Sequence, residues 1–298
     1  MYDHPLRNDA EAKAKLQECL DGLNGLERHY RLANSYLKRN KAIKKNFRGI
    51  LGPEWIRLTH DAKNPLVIGL GGPGTMSTQQ KRQLGIAACV GTMAEYAGAV
   101  GQVEPDKAFV FNVSRNTDKT SYATLEHLFH SLKQSPIKEL IENPKYTKLE
   151  VTHDNAPSYK SRFFLYGATK ALTERYPHIQ MVRWVPLCPC HGKTDLDRRF
   201  SSVTTWANNF QANERIGTVA KMVEVLNEGN EGSNKWRRET GQKPIPTSTN
   251  LFKLTPPPAT LDWVHIPQIK SVQCVTWIAR PEDRIDGRHS GFYLNVLP

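Results

Sequence analysis

Three aspartates in this chain stand where a metal-dependent phosphoryl-transfer site would need them. Two near-identical strings, Leu58-Thr59-His60-Asp61 and Val151-Thr152-His153-Asp154, each read as the end of a β-strand that delivers an exposed aspartate. A third acidic string, His191-Gly192-Lys193-Thr194-Asp195-Leu196-Asp197, reads as the start of a helix. Cutting a phosphodiester needs an activated water or hydroxyl and a partner for the charge on the leaving oxygen. Two divalent ions about 3.5–4 Å apart supply both. Mg2+ or Mn2+ would fill that role, since both take oxygen ligands, and carboxylates from separate segments can converge on an open pair. In this reading Asp61 is the bridging ligand, Asp154 enters from the adjacent strand end, and Asp197 completes the site. His191 and Lys193 would contact phosphate or orient the nucleophile. Asp195 competes with Asp197 for the third place. Aspartates are also common turn and cap residues, so residue type alone does not make the trio catalytic.

The elements that must position these acids can be read from periodicity. Trp55–His60 reads as a strand running into Asp61, with further strands at 66–70, 85–92 and 107–114, of which Phe109-Val110-Phe111-Asn112-Val113 is the clearest. Tyr122, Leu125, Phe129 and Leu132 recur at helical spacing, so a helix is predicted over 120–133. A strand at 149–153, a helix at 159–176, a strand at 179–187 and a helix from about Asp195 to Phe210 follow. Several strands and then alternating helices and strands make an α/β domain with a mixed sheet covered by helices. Strand ends are where such sheets collect functional groups.

On either side the character changes. Residues 9–48 read as polar helix with an apolar stripe of Leu16, Leu20, Leu23, Tyr30, Ala33 and Leu37, and Gly22 and Gly25 predict a break or two helices. Beyond about 212, Ile216, Val219, Val223 and Leu226 make one amphipathic helix expected to stop near Gly229. A polar Gly/Asn-rich stretch, a connector at Pro256-Pro257-Pro258, and two late strands at 271–279 and 291–297 pairing around Asp286-Gly287 complete the chain. The expected organisation is a basic helical segment over 1–50, a core over 51–212 and a C-terminal extension over 213–298.

The 298 residues carry a formal net charge of +12, which favours a polyanionic partner without choosing an activity. Candidate phosphate contacts are Lys38, Arg39, Lys41, Lys44, Lys45 and Arg48, the pair Arg198 and Arg199, and Lys235, Arg237 and Arg238, with Trp236 either stacking on a base or packed. A solvated helix face explains the first run equally well. No apolar run is long enough to span a bilayer, and Met1–Pro5 lacks the apolar core of a secretory signal. Five scattered cysteines do not form a disulfide framework, so a reducing compartment is expected.

Two further strings are weaker. Gly69-Leu70-Gly71-Gly72-Pro73-Gly74 fits a dinucleotide loop, but no apolar helix face follows Pro73, so a hairpin or loop is the better reading. Cys188-Pro189-Cys190-His191 lacks a well-spaced second ligand pair for zinc. His60 and His153, one residue before the aspartates, should point to the opposite face, as packed or surface histidines rather than ligands.

The placement of Asp61, Asp154 and Asp197 over this strand and helix order resembles the ribonuclease H-like core of DDE/D transposases and retroviral-type integrases. The chain is similar to transposon-derived proteins of that class. Their second site reads Asp-Asn, matched by Asp154-Asn155, and their third reads His, one residue, Lys, then Asp followed by Phe, matched by His191-Gly192-Lys193, Asp197 and Phe200. The likeness covers roughly 54–210, while the segment after Asp61, Ala62-Lys63-Asn64-Pro65, departs from the pattern. It implies a ribonuclease H-like mixed sheet flanked by helices, two Mg2+ or Mn2+ ions, and cleavage and strand transfer on DNA. RNA or an RNA–DNA hybrid is the alternative substrate; the alternative roles are a catalytically inactive, domesticated nucleic-acid-binding protein and a ribonuclease H-type or repair nuclease that hydrolyses without strand transfer. Self-association is usual in that class, and a nuclear location would follow in a eukaryote, a cytoplasmic one otherwise.

Overall fold

In the computed structural model the strand carrying Asp61 lies in the middle of the sheet. The structure describes residues 10–67, 86–115, 120–153, 156–159, 161–187, 194–255, 274–278, 284–285, 288–289 and 295–297. β1 (Trp55–Val67), β2 (Ile86–Ala97) and β3 (Pro105–Ser114) form an antiparallel meander. β4 (Lys148–His153) lies parallel to β1, and β5 (Met181–Pro186) parallel to β4. The order β3-β2-β1-β4-β5 with this mix of directions is the ribonuclease H-like arrangement that the family resemblance implied. C-terminal strands widen it on both sides. β6 (Thr247–Leu251) pairs parallel with β3, β7 (Cys274–Ile278) antiparallel with β5, and a later strand pairs with β7, giving eight strands. β8 (Arg284–Ile285) and β9 (Arg288–His289) pair with each other, and β10 (Asn295–Leu297) is the strand that closes on β7.

Strand alternation sends side chains to two faces, and each is covered. Ile56 and Leu58 of β1, with Val110, Leu149, Val151, Val182 and Trp184, meet α3 (Ser121–Leu132), α4 (Ile137–Ile141) and α5 (Arg162–Arg175). On the other face Met93, Phe109, Phe111 and Val113 meet Leu196, Phe200 and Val203 of α6 (Asp195–Gln211) and Met222, Val225 and Leu226 of α7 (Val219–Glu239). The rest of that face takes the end of α1 (Ala10–Lys45) and α2 (Phe47–Ile50), through Ile43 and Phe47 against Trp55 and Ala97. The result is three layers, helix–sheet–helix.

Three local expectations change. The chain does not turn after Asp61: β1 runs on to Val67, paired with β2, with a register shift between Lys63 and Leu66. A bulge lets a strand absorb residues such as Pro65 that cannot join the ladder. α1 is one continuous 36-residue helix through Gly22 and Gly25, because a glycine costs a helix only about 1 kcal/mol and does not end it. α7 likewise passes Gly229 and Gly232 and carries Lys235–Arg238 as helix rather than loop. Gly229 is a packing residue: a Cβ there would lie 2.7 Å from Cβ of Trp206 on α6. The asparagines nearby are structural too. Asn227, Asn230 and Asn234 hydrogen-bond the backbone of Thr249, Thr247 and Ile245, stitching one face of α7 to the edge strand β6.

His60 and His153 lie on the opposite face from Asp61, as alternation required, and both are buried there. His60 donates to or accepts from Thr92 at 2.8 Å, and His153 stacks on Tyr159. Burial drives the His60 pKa down to about 3 and that of His127, beside Phe252, to about 4. The unfolded chain protonates both near pH 6.5, so it binds more protons than the native state below that value. Native stability is therefore fully present above pH 6.5 and falls with acidification, by about 3 kcal/mol for each histidine at pH 4. Urea midpoints measured from pH 7.5 to 4.5 should drop steeply, and His127→Leu should flatten the slope. A profile unchanged by that substitution would contradict the assignment.

Candidate functional site

The Thr-His-Asp echo has a physical meaning: its two strings are cross-strand neighbours. β1 and β4 pair Leu58 with Val151, Thr59 with Thr152 and His60 with His153. Thr59 and Thr152 share a hydrogen bond of 2.8 Å between their hydroxyls. Like side chains therefore project side by side at each step. Asp61 follows His60 within β1 and is half-buried, with Oδ1 accepting the Ala62 amide at 2.7 Å. It is not the exposed strand end expected from sequence. Asp154, Asn155, His191 and Lys193 lie outside the described residues, as do Cys188, Cys190 and the glycine string at 69–74.

Asp61 is the register partner of Gly91 on β2, and directly opposed residues project to one face. That face belongs to α6. A Cβ at Gly91 would stand 2.9 Å from Leu196, Phe200 and Phe111 side chains. The first turns of α6 thus rest on the strand pair at the level of Asp61, and glycine is what allows so close an approach. Gly91→Ala should push α6 off the sheet at a cost of about 1–3 kcal/mol, read as a lower urea midpoint. An unchanged midpoint would mean that α6 does not seat there.

The two acids of the third string do different work. Asp197 is the N3 residue of a capping box: its Oδ2 accepts the Thr194 amide at 2.6 Å, and Thr194 Oγ1 accepts the Asp197 amide. It stays half-exposed. Asp195 is held by Lys107 at 2.6 Å and Lys44 at 2.9 Å. Burial would raise its pKa, but these two lysines overcome that and hold the carboxyl below its usual range. Asp195 thus lies against two protein cations, while Asp197 is engaged by the helix cap. Asp61 and Asp197 offer the hard oxygen donors that Mg2+ and Mn2+ take. Among the described residues no three His, Cys, Asp or Glu side chains form a metal-sized group.

Below Asp61 on the same face runs a feature that the sequence reading missed. Arg183, Glu150, Arg57, Glu95 and Lys107 are register partners on β5, β4, β1, β2 and β3, a row of alternating charge across five strands. Arg57 reaches Glu150 at 3.1 Å and Glu95 at 3.2 Å, with all three almost fully buried. α1 caps the row, Arg39 pairing with Glu150 and Asn40 with Arg57. Burial would raise the Glu150 pKa, but Arg39, Arg57 and Arg183 hold it below the ordinary value. The signal lay in the alternation: Arg57, Glu95, Glu150 and Arg183 each stand between two apolar residues of their strand. Between this row, α1 and the start of α6 lies a cavity of about 370 Å³, lined in part by Lys41, Lys44, Lys45 and Thr59.

The proposed phosphate contacts divide. Arg39 and Lys44 are engaged by Glu150 and Asp195, and Arg48 donates to the Gly98 carbonyl at 2.5 Å. Arg199 is buried, bonded to Asn230 at 2.6 Å and lying over Trp206, so its role is to join α6 to α7 rather than to meet a phosphate. Arg237 bonds the Lys243 carbonyl and Arg238 pairs with Glu231 at the surface. Lys38, Arg198 and Lys235 are exposed, and Trp236 is 55% exposed.

No family model matches the chain, and no curated protein matches it. Among solved structures it is similar to a chain in the crystal structure of a pre-cleavage Mos1 transpososome, at 11% identity and a TM-score of 0.24, covering 68% of this chain and 58% of that one. The chain thus spans less than two thirds of that neighbour. No helix among the described residues is long and apolar enough to cross a membrane.

Proposed function

We propose that the chain is a ribonuclease H-like nucleic-acid enzyme that cleaves and joins DNA strands with two Mg2+ or Mn2+ ions, in the manner of a transposase or integrase. The observation that carries this reading is the register pairing His60 with His153 on the parallel central strands. The residue after each is an aspartate, and the α6 turn that carries Asp197 rests on the strand pair at the Asp61 level. Asp61, Asp154 and Asp197 would hold the ions, which when bound activate the attacking oxygen and stabilise the leaving one. The protein's own task is to fix the carboxylates on rigid elements. The hydroxyl pair of Thr59 and Thr152 locks β1 to β4, the Thr194 cap fixes the α6 turn, and Lys44 and Lys107 hold Asp195 aside. Lys38, Lys41, Lys45 and Arg198 would meet the DNA backbone, with His191 and Lys193 at the reacting phosphate.

The deciding experiment incubates the full chain with end-labelled duplex DNA and a plasmid target, with Mg2+, Mn2+ or EDTA. Metal-dependent nicks and joined products are expected. Cleavage without joining would replace strand transfer by hydrolysis, and preferential cutting of an RNA–DNA hybrid would make it a ribonuclease. A second reading, a DNA-binding protein without catalysis, draws on the engagement of Asp197 Oδ2 in the cap and of Asp195 with lysines. DNA binding with no metal-dependent product would establish it.

A further inference from the structure

α1 is far longer than its contact with the core requires. Its end is anchored through Ala33, Ile43 and the ion pairs of Arg39 and Lys44. Before that point it carries Leu16, Leu23 and Tyr30 at intervals of seven, with Cys19 and Leu26 three residues after the two leucines. All five are exposed, Leu16 and Leu23 at 62% each. This is an a/d seam of a two-stranded coiled coil, and a helix exposing such a stripe to water is marginal by itself.

We propose that residues 13–30 of α1 form an antiparallel coiled coil with the same segment of a second copy of this chain. Antiparallel pairing about Asp21 sets Leu16 against the partner's Leu26 and Cys19 against the partner's Leu23, each layer occurring twice by symmetry. The flanking residues agree. Leu20 then meets its own symmetry mate, and Lys13 meets the partner's Glu27, an opposite-charge pair at the positions that set orientation. Parallel, in-register pairing instead sets Gly22 beside Glu27, Lys15 beside Leu20 and His29 beside Asn34, with no complementary pair. The charge of the whole chain points the same way. Each copy carries +12, and a parallel coil would place both cores at one end. Antiparallel pairing sets the anchored ends about 36 Å apart, counting about 1.5 Å per residue from position 21 to 33 on each copy, well beyond the screening length of about 8–10 Å.

Sedimentation equilibrium on the full chain tests this. A dimer is expected at micromolar concentration, and Leu23→Glu/Leu26→Glu should weaken it by about a hundredfold or more, with the near-UV circular dichroism of the core retained. A wild-type monomer at 100-fold higher concentration, or a dimer unaffected by the double substitution, would overturn the proposal. Oxidative cross-linking fixes the orientation. Leu23→Cys should give a linked dimer through Cys19 and Cys at 23 of opposite copies, whereas wild type and Leu23→Cys/Cys19→Ser should not. Linkage of wild type through Cys19, lost in Cys19→Ser, would show a parallel coil and overturn the antiparallel one.

Discussion

Asp61→Asn and Asp154→Asn should each reduce Mg2+-dependent cleavage of labelled DNA ends by about 10²-fold or more while leaving DNA binding within a few-fold. Each change keeps the side-chain shape and removes the charge that would hold a divalent ion. A metal supplies several kcal/mol of charge stabilisation in the transition state, and each 1.36 kcal/mol is tenfold in rate. Asp197→Asn is the more discriminating variant. Asparagine still offers an oxygen to the Thr194 amide now bonded to Asp197, so the α6 cap survives while a metal ligand is lost. Cleavage should fall with little change in stability. Asp195→Asn should do the reverse, since its two lysines would lose their partner and cleavage would persist. Full cleavage by Asp154→Asn would remove the proposed site altogether.

Breaking the charged row should have the largest effect on stability. Arg57→Met leaves Glu150 and Glu95, both almost wholly buried, without their shared cation, and Glu150→Leu leaves Arg57 and Arg39 facing an apolar group. Removing one member of a buried ion pair costs about 3–5 kcal/mol, because the desolvated partner remains. Replacing Arg57, Glu150 and Glu95 together by Met, Leu and Leu should recover much of that loss. The acid limb carries the same signature. The Glu150 pKa lies below its ordinary 4.5, so its contribution is complete above pH 4.5 and is lost as the pH falls through the native value. Urea midpoints of the single and triple variants measure all of this. Single variants as stable as wild type would mean that the row contributes nothing, and a triple variant worse than the singles would mean that the charges are individually favourable.

The sequence by itself determined the layer architecture, because period-two and period-3.6 patterns report which side of each element faces the core. The strands, the helices that cover them and the inward face of His60 and His153 all follow from that alternation. The Thr194–Asp197 capping box was also written in local spacing, as a Thr followed three residues later by an acid at a helix start. What tertiary structure decided is whatever depends on which strands become neighbours. The two Thr-His-Asp strings were only similar until β1 and β4 paired them residue by residue. Arg57, Glu95 and Glu150 lie on separate strands, the two acids 38 and 93 residues from Arg57 in sequence, and only the sheet register brings them into one row. The glycines divide on the same ground. Gly22 and Gly25 have nothing near a Cβ, so neighbouring helical residues carry α1 through them. Gly91 and Gly229 are required by α6, which lies against both. A local pattern records the conformation of a segment; the distance to a partner from elsewhere in the chain is set only when the layers close.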